Sequence, residues 1–288
     1  MSITAADVKK LRDATGAGMM ECKAALTDAN GDFEEANTIL RKRGLASAAK
    51  KAGRTTSEGL IGSRLAPDHS GGVLVEVNCE SDFVARTDDF QALVQDIMTA
   101  IDKAGDAASD GWITDPNGPV VALLKPVIGK LGENMAAPRL ARYAGKGYVG
   151  QYIHTGGKLG VQVEFAGVTP DVATRDEFTT LVKEIAMQVA ASGPSYVSRA
   201  AVPADVVDKE RAIYRAQMEH SGKPANVIDK IVDGKLGSFY SQVVLVDQAS
   251  IRDPKVSVNE VLAAASKALG ATISVSRFAR LRVGEAAQ

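Results

Sequence analysis

The stretch GLIGSRLAPDHSGGVLVEVNCESDFVARTDDFQALVQDI, Gly59 to Ile97, returns as GYVGQYIHTGGKLGVQVEFAGVTPDVATRDEFTTLVKEI, Gly147 to Ile185, at an offset of 88 residues and without a gap. Gly59 falls on Gly147, Gly62 on Gly150, Val73 on Val161, Val75 on Val163 and Glu76 on Glu164. The register continues with Val84 on Val172, Ala85 on Ala173, Phe90 on Phe178, Leu93 on Leu181, Val94 on Val182 and Ile97 on Ile185. Turn glycines, alternating β-branched residues and an apolar stripe at i, i+3, i+7 are what a β-hairpin packed under an amphipathic helix requires. The repeat therefore predicts an α+β protein whose core is two duplicated subdomains with antiparallel sheets.

Where the copies differ is more telling than where they agree. Ser81, Asp82 and Phe83 stand between strand and helix in the first copy, and Thr169, Pro170 and Asp171 in the second. Two readings of Asp82 and Phe83 are open. Either Phe83 plugs the gap between strand and helix while Asp82 caps a helix end, or the pair projects for contact. Because the second copy keeps the flanking scaffold without an acid-aromatic pair, the scaffold does not need one, which favours projection.

Upstream, residues 4–44 read as three short helices. Thr4 and Asp32 sit where N-caps belong, Gly16, Gly18, Gly31 and Gly44 punctuate, and Val8, Leu11, Met19, Met20, Leu26, Phe33, Ala36, Ile39 and Leu40 recur at near-helical spacing. A module of about 40 residues is small for independent stability, so an apolar face should be left for a partner or for the rest of the chain. Met19 and Met20 are adjacent, so one is expected to pack inward and the other to join an adaptable contact surface. Arg41 to Arg54, RKRGLASAAKKAGR, has six basic residues and no acid, and reads as a linker, a solvated helix between modules.

Between the copies, PVVALLKPVIGKLGEN predicts a helix ended by Leu131, Gly132, Glu133 and Asn134, and RLARY a strand. From Pro203 to Tyr240 the pattern is a helical hairpin turning at HSGKP, residues 220–224, with Val206, Val207, Ile213, Tyr214 and Met218 facing Val227, Ile228, Ile231 and Leu236. A helix over Val258–Leu269 and a strand, TISVSRFARLRV, complete one of the sheets. The expected organisation is 1–54, three-helix module with basic linker; 55–144, first core subdomain; 145–200 and 241–288, second core subdomain; 201–240, hairpin.

Composition narrows the function classes. At roughly 150 residues per domain, 288 residues amount to about two domains. With 34 basic against 35 acidic residues the chain lacks the excess charge of a dedicated nucleic-acid binder. Cys22 and Cys79 are too few for a disulfide framework or a cysteine-rich metal site and read as small buried residues. His69, His154 and His220 leave few routes to a histidine metal centre or to acid-base catalysis, and His154, without a nucleophile beside it, reads as a surface or interface histidine. There is no Walker A pattern, and GKGYVG, Gly145 to Gly150, leads into a hairpin and not into a phosphate-binding helix. MSITAADVKK has no signal-peptide core, and no apolar run reaches membrane-spanning length, so a cytoplasmic protein is expected.

The blocks LRDATGAGMMECKAALTDANGDFEEANTILRKRG, AGRTTSEGLI, VEVNCESDFVAR, YIHTGGKLGV and HSGKP, in that order over nearly the whole chain, resemble the elongation factor Ts family, the guanine-nucleotide exchange factors of bacterial elongation factor Tu. The resemblance implies a UBA-like fold for the first module and a coiled-coil dimerisation role for the hairpin. It also implies exchange and not bond-making, so no enzyme, no cofactor and no metal of its own. Asp82, Phe83, Val84 and Ala85 would be the segment that dislodges Mg²⁺ from the partner. Arg12, Met19, Met20, Leu131, Gly132 and His154 would be further contacts to elongation factor Tu, GDP-bound or nucleotide-free. A homodimer through the hairpin is compatible, while membrane and direct nucleic-acid contacts are not expected. Only AAQ follows the RLRVGE stretch, where some family members carry a further helix. Two other classes compete: a helical adaptor acting through the first module, and a nucleic-acid chaperone acting through residues 41–54.

Overall fold

The computed structural model describes residues 3–145, 147–218 and 221–285. Helix α1 (Ala5–Thr15) opens on a reciprocal cap: Thr4 Oγ1 accepts from the Asp7 N–H at 3.2 Å, and the Asp7 carboxylate accepts from the Thr4 N–H at 3.0 Å. Helix α2 (Met19–Asp28) follows, then α3 (Phe33–Lys51), capped by Asp32, which accepts from the Glu35 N–H at 2.8 Å. Val8, Leu11, Cys22, Ala25, Leu26 and Ala36 form the small core between them.

The basic run is not a linker. Most of it is the last turns of α3, in which Ala46, Ala48 and Ala49 sustain the helix. Ala48 is buried in the core of the first sheet, so these turns are packed and not solvated on all sides.

Strands β1 (Glu58–Leu65) and β2 (Gly71–Cys79) form the first hairpin. The short helix α4 (Asp82–Ala85) and the amphipathic α5 (Asp88–Ala104) come next. Helix α6 (Asp110–Thr114), a single turn too short to show an apolar period, precedes α7 (Pro119–Leu131) and strand β3 (Met135–Ala144). The second unit repeats the plan with β4 (Tyr148–Ile153), β5 (Leu159–Ala166), α8 (Pro170–Ala173) and α9 (Asp176–Ser192). Then α10 (Ala204–Ala216) and α11 (Ala225–Val243) form the hairpin, and α12 (Val258–Leu269) and β6 (Ser274–Arg282) end the described chain. The sheets are β1-β2-β3 and β4-β5-β6, antiparallel throughout.

The duplication extends past the stretch visible as a gapless repeat. Glu76 pairs in register with Arg139, and Glu164 with Arg277, so α7–β3 corresponds to α12–β6 at an offset of 138 residues. Leu131 and Gly132 then fall on Leu269 and Gly270, and both glycines end their helices in the left-handed conformation. The change of offset marks the inserted α10–α11 hairpin.

Within that hairpin the expected apolar seam is only partly closed. Val232 and Leu236 are buried, no residue of α10 is, and Ile213 and Val227 stay exposed. Polar contacts join the arms instead: Arg215 to Asp229 at 2.7 Å, and the Lys235 ammonium 5.4 Å over the Tyr214 ring. His220, placed in the turn from the sequence, lies outside the described residues.

The two sheets pack against each other through Ile61, Leu74 and Leu281. Gly72 and Gly160, matched positions of the two copies, leave no room for a side chain where the units meet. A Cβ on Gly72 would stand 2.5 Å from Gln162 Oε1, and one on Gly160 would stand 2.7 Å from Ile61 Cγ2. At the edge, Glu76 accepts from Arg139 Nε at 2.5 Å and from the Gly284 N–H at 2.9 Å, while Arg139 donates to the Arg282 carbonyl at 2.6 Å. Glu164 accepts from Arg277 at 2.7 and 3.3 Å, and that guanidinium lies 4.0 Å over the Tyr143 ring of the first sheet. Each ion pair thus reaches across to the other subdomain. Glu76→Ala, which leaves a largely buried guanidinium without its carboxylate, is expected to cost about 3 kcal/mol in urea unfolding; a loss below about 1 kcal/mol would place the pair among weak surface bridges.

Candidate functional site

Helix α4 is one turn long, and its cap decides where its side chains go. Ser81 is the N-cap, its Oγ accepting from the Val84 N–H at 3.4 Å. Ala85 is buried and Val84 half-buried against the first core, which turns the opposite face outward. Phe83 is 80% exposed there, and Asp82 beside it pairs with Arg86 at 2.8 Å. The plugging and capping reading of Asp82 and Phe83 is therefore overturned: Ala85 and Val84 fill the gap, and Ser81 caps.

The second copy builds the same turn without the pair. Thr169 accepts from the Val172 N–H at 3.4 Å, Val172 is buried, and Pro170 and Asp171 occupy the outward positions. An exposed phenylalanine is thus an addition to the scaffold and not a part of it. Aromatic side chains are enriched among the residues that carry binding energy at protein interfaces.

Other candidate residues are gathered by specific links. Glu133, following Gly132 at the end of α7, accepts from the Ser81 N–H at 2.9 Å and from the Ser81 hydroxyl at 2.6 Å, so the Leu131–Gly132 corner abuts the Phe83 turn. Leu131 is half-buried against the first core, whereas Gly132, at φ +79°, is exposed. Lys130 bonds Asp89 at 2.6 Å and also lies against Gly16, where a Cβ would meet its Cε at 2.2 Å. That contact sets the α1–α2 corner beside α7. The crossing of α3 and α7 seats the three helices further, since a Cβ on Gly129 would stand 2.9 Å from the Gly44 Cα.

On the α1–α2 corner, Arg12 is exposed, as are Met19 at 53% and Met20 at 75%. The expectation that one methionine packs inward is corrected. Met19 shares the face of Cys22 and Leu26, but it lies in the first turn of α2, beyond the edge of the small core.

His154, at the end of β4, is exposed and its Nδ1 is 2.8 Å from the Tyr152 hydroxyl. Its turn docks on β1: the Gly157 carbonyl accepts from the Ile61 N–H at 2.7 Å, and Lys158 pairs with Glu58. Glu58 is the register partner of Cys79, two residues before Ser81, so the His154 turn sits at the same end of β1 as the Phe83 turn.

Among the described residues no cluster of His, Cys, Asp or Glu is placed to hold a metal ion, and no helix is long and apolar enough to cross a membrane. Within the basic run, Arg43 pairs with Asp28 and Arg54 with Glu80. What the geometry does provide is a set of protruding apolar side chains on rigid corners.

Comparison with known proteins identifies the family. A family model described as Elongation factor TS matches residues 80–285. The elongation factor Ts of Trichlorobacter lovleyi is 41% identical over 291 aligned residues, covering 99% of this chain and 94% of that protein. Those of Aquifex aeolicus and Bartonella bacilliformis are 41% and 44% identical, each over 99% of this chain and over 99% and 94% of their own lengths. The chain belongs to the elongation factor Ts family, and is a translation elongation factor.

Directly behind the Phe83 turn, Cys79 is fully buried and donates to the Ser81 carbonyl at 3.1 Å. Burial, then the nearby Glu133 and Glu58 carboxylates, push its thiol up to about 12. Cys79 should stay unmodified by a disulfide reagent in the native protein near about pH 8 and react once urea unfolds it. Rapid native labelling, mapped by mass spectrometry, would show instead that the strand end under the turn opens.

Proposed function

We propose that this chain is a cytoplasmic guanine-nucleotide exchange factor that binds elongation factor Tu·GDP, displaces its Mg²⁺ and promotes GDP release so that GTP can bind. It makes and breaks no covalent bond. The observation that carries this reading is Phe83, exposed on a capped turn whose duplicate does without an aromatic. Family membership supports the partner.

In this mechanism the Phe83 ring inserts between side chains of the partner, with Asp82 beside it and Val84 and Ala85 as the buried base of the wedge. Mg²⁺ bridges phosphate oxygens to protein ligands, so a shift of its surroundings weakens nucleotide binding. Burying one phenylalanine contributes about 1.5–3 kcal/mol, whereas each tenfold loss of GDP affinity needs about 1.4 kcal/mol of differential binding. One ring is too little for a large acceleration. Arg12, Met19 and Met20 on the first module, Leu131 and Gly132 on α7, and His154 on the second subdomain supply the remaining contact area, and they add to the coupling to the extent that they hold the nucleotide-free partner more tightly than the GDP-bound one. By reciprocity, GDP must weaken this chain's grip on elongation factor Tu by the same factor.

The hairpin, with Ile213 and Val227 exposed, is the proposed dimerisation module. The working division is residues 1–54 as the partner-anchoring module, 55–144 and 145–200 with 241–288 as the core halves, and 201–240 as the hairpin.

Phe83→Ala should slow release of a fluorescent GDP from elongation factor Tu in stopped flow by about 2 kcal/mol of lost coupling, with the melting temperature nearly unchanged because the residue is 80% exposed. An unaltered release rate would refute the wedge.

A further inference from the structure

The first copy carries a carboxylate that the second lacks. Glu133 follows the glycine that ends α7; its counterpart after Gly270, at the end of α12, is Ala271. Both oxygens of Glu133 are spent on a single residue, one on the Ser81 N–H at 2.9 Å and the other on the Ser81 hydroxyl at 2.6 Å. With its proton given to Glu133, the Ser81 oxygen is left free to accept from the Val84 N–H. A second link runs alongside. Glu80 accepts from the Asn134 N–H at 2.6 Å, and the Asn134 amide donates to the Arg54 carbonyl at 2.8 Å, just past the end of α3. Val168 stands where the second copy would need a counterpart of Glu80.

The turn itself needs none of this, because Thr169 caps α8 with no carboxylate behind it. The carboxylate occurs only in the copy that bears the exposed aromatic. Resting on the exchange reading above, we infer that Glu133 is a positioning residue: its doubly bonded carboxylate clamps Ser81 to the end of α7 and so fixes the direction in which Phe83 meets the partner.

Hydrogen bonds to a charged acceptor are shorter and stronger than neutral ones, which suits a clamp. A ring held in place before contact loses less freedom on insertion, so the gain appears as coupling and not as fold stability. Glu133 touches no nucleotide in this scheme and acts through Ser81 and Phe83 alone.

The test is a double-mutant cycle on GDP release from elongation factor Tu, with melting temperatures measured on the same full-length proteins. Glu133→Ala should slow release about tenfold, equivalent to about 1.4 kcal/mol. Glu133→Gln, which keeps one accepting oxygen, should fall between it and the unaltered protein. In a Phe83→Ala background the Glu133→Ala change should add less than about twofold, and Thr169→Ala in the other copy should leave release unchanged. If Glu133→Ala does not fold, Glu133→Gln is read in the same way, since it keeps one accepting oxygen and leaves the Ser81 cap on the Val84 N–H in place. A slow Phe83→Ala beside a normal Glu133→Ala overturns the clamp alone, as does an equal slowing by Glu133→Ala in both backgrounds. A normal rate in Phe83→Ala overturns the exchange reading and the clamp with it.

Discussion

Glu76 and Glu164 occupy the same rung of their respective sheets, almost wholly buried, each facing an arginine from the third strand. A carboxylate so placed is costly unless every oxygen is satisfied; here one oxygen of Glu76 accepts from the Arg139 guanidinium and the other from the Gly284 N–H, and both oxygens of Glu164 accept from the Arg277 guanidinium. Removing either subdomain would strip a partner from the other, since Arg139 reaches the Arg282 carbonyl and Arg277 stacks on Tyr143. The two halves are therefore held in one arrangement. That arrangement fixes the His154 turn against β1, at the end of the sheet from which the Phe83 turn projects.

Duplication gives the molecule its own internal control. Two turns with the same cap, the same buried valine or alanine and the same following helix differ in what they present to solvent: Asp82 and Phe83 on one, Pro170 and Asp171 on the other. Residues shared by both copies, such as Phe90 and Phe178 or Gly72 and Gly160, are accounted for by packing. Phe83 and Glu133, each found in one copy only, stand outside that shared packing.

Much of this is legible in the residues. The gapless repeat predicts the two hairpins, their helices and the antiparallel sheets, and Thr4 and Asp32 mark helix starts that the structure keeps. The second half of the duplication is hidden because the hairpin insertion changes the offset from 88 to 138 residues, and only the strand register of Arg139 and Arg277 recovers it. A slide at that second offset would have set Leu131 and Gly132 on Leu269 and Gly270 and singled out Glu133. The basic run misleads because charge density says nothing of the other helix face, where Ala48 is buried and Gly44 meets Gly129. Met19 misleads in the opposite sense: its spacing is that of a core residue, but the core ends before it. In the hairpin, apolar spacing marks the two arms, yet Ile213 and Val227 remain exposed among the described residues.

In the proposed exchange mechanism one projecting aromatic, on a turn whose duplicate forms without it, enters the nucleotide-binding domain of elongation factor Tu. Site-specific photo-crosslinking measures this directly. A photoreactive phenylalanine analogue placed at position 83 is expected to crosslink to that domain beside the Mg²⁺ site, while the same analogue at position 171, the matched site of the second copy, gives no product there. Equal yields from both positions, or none from position 83, would contradict the account.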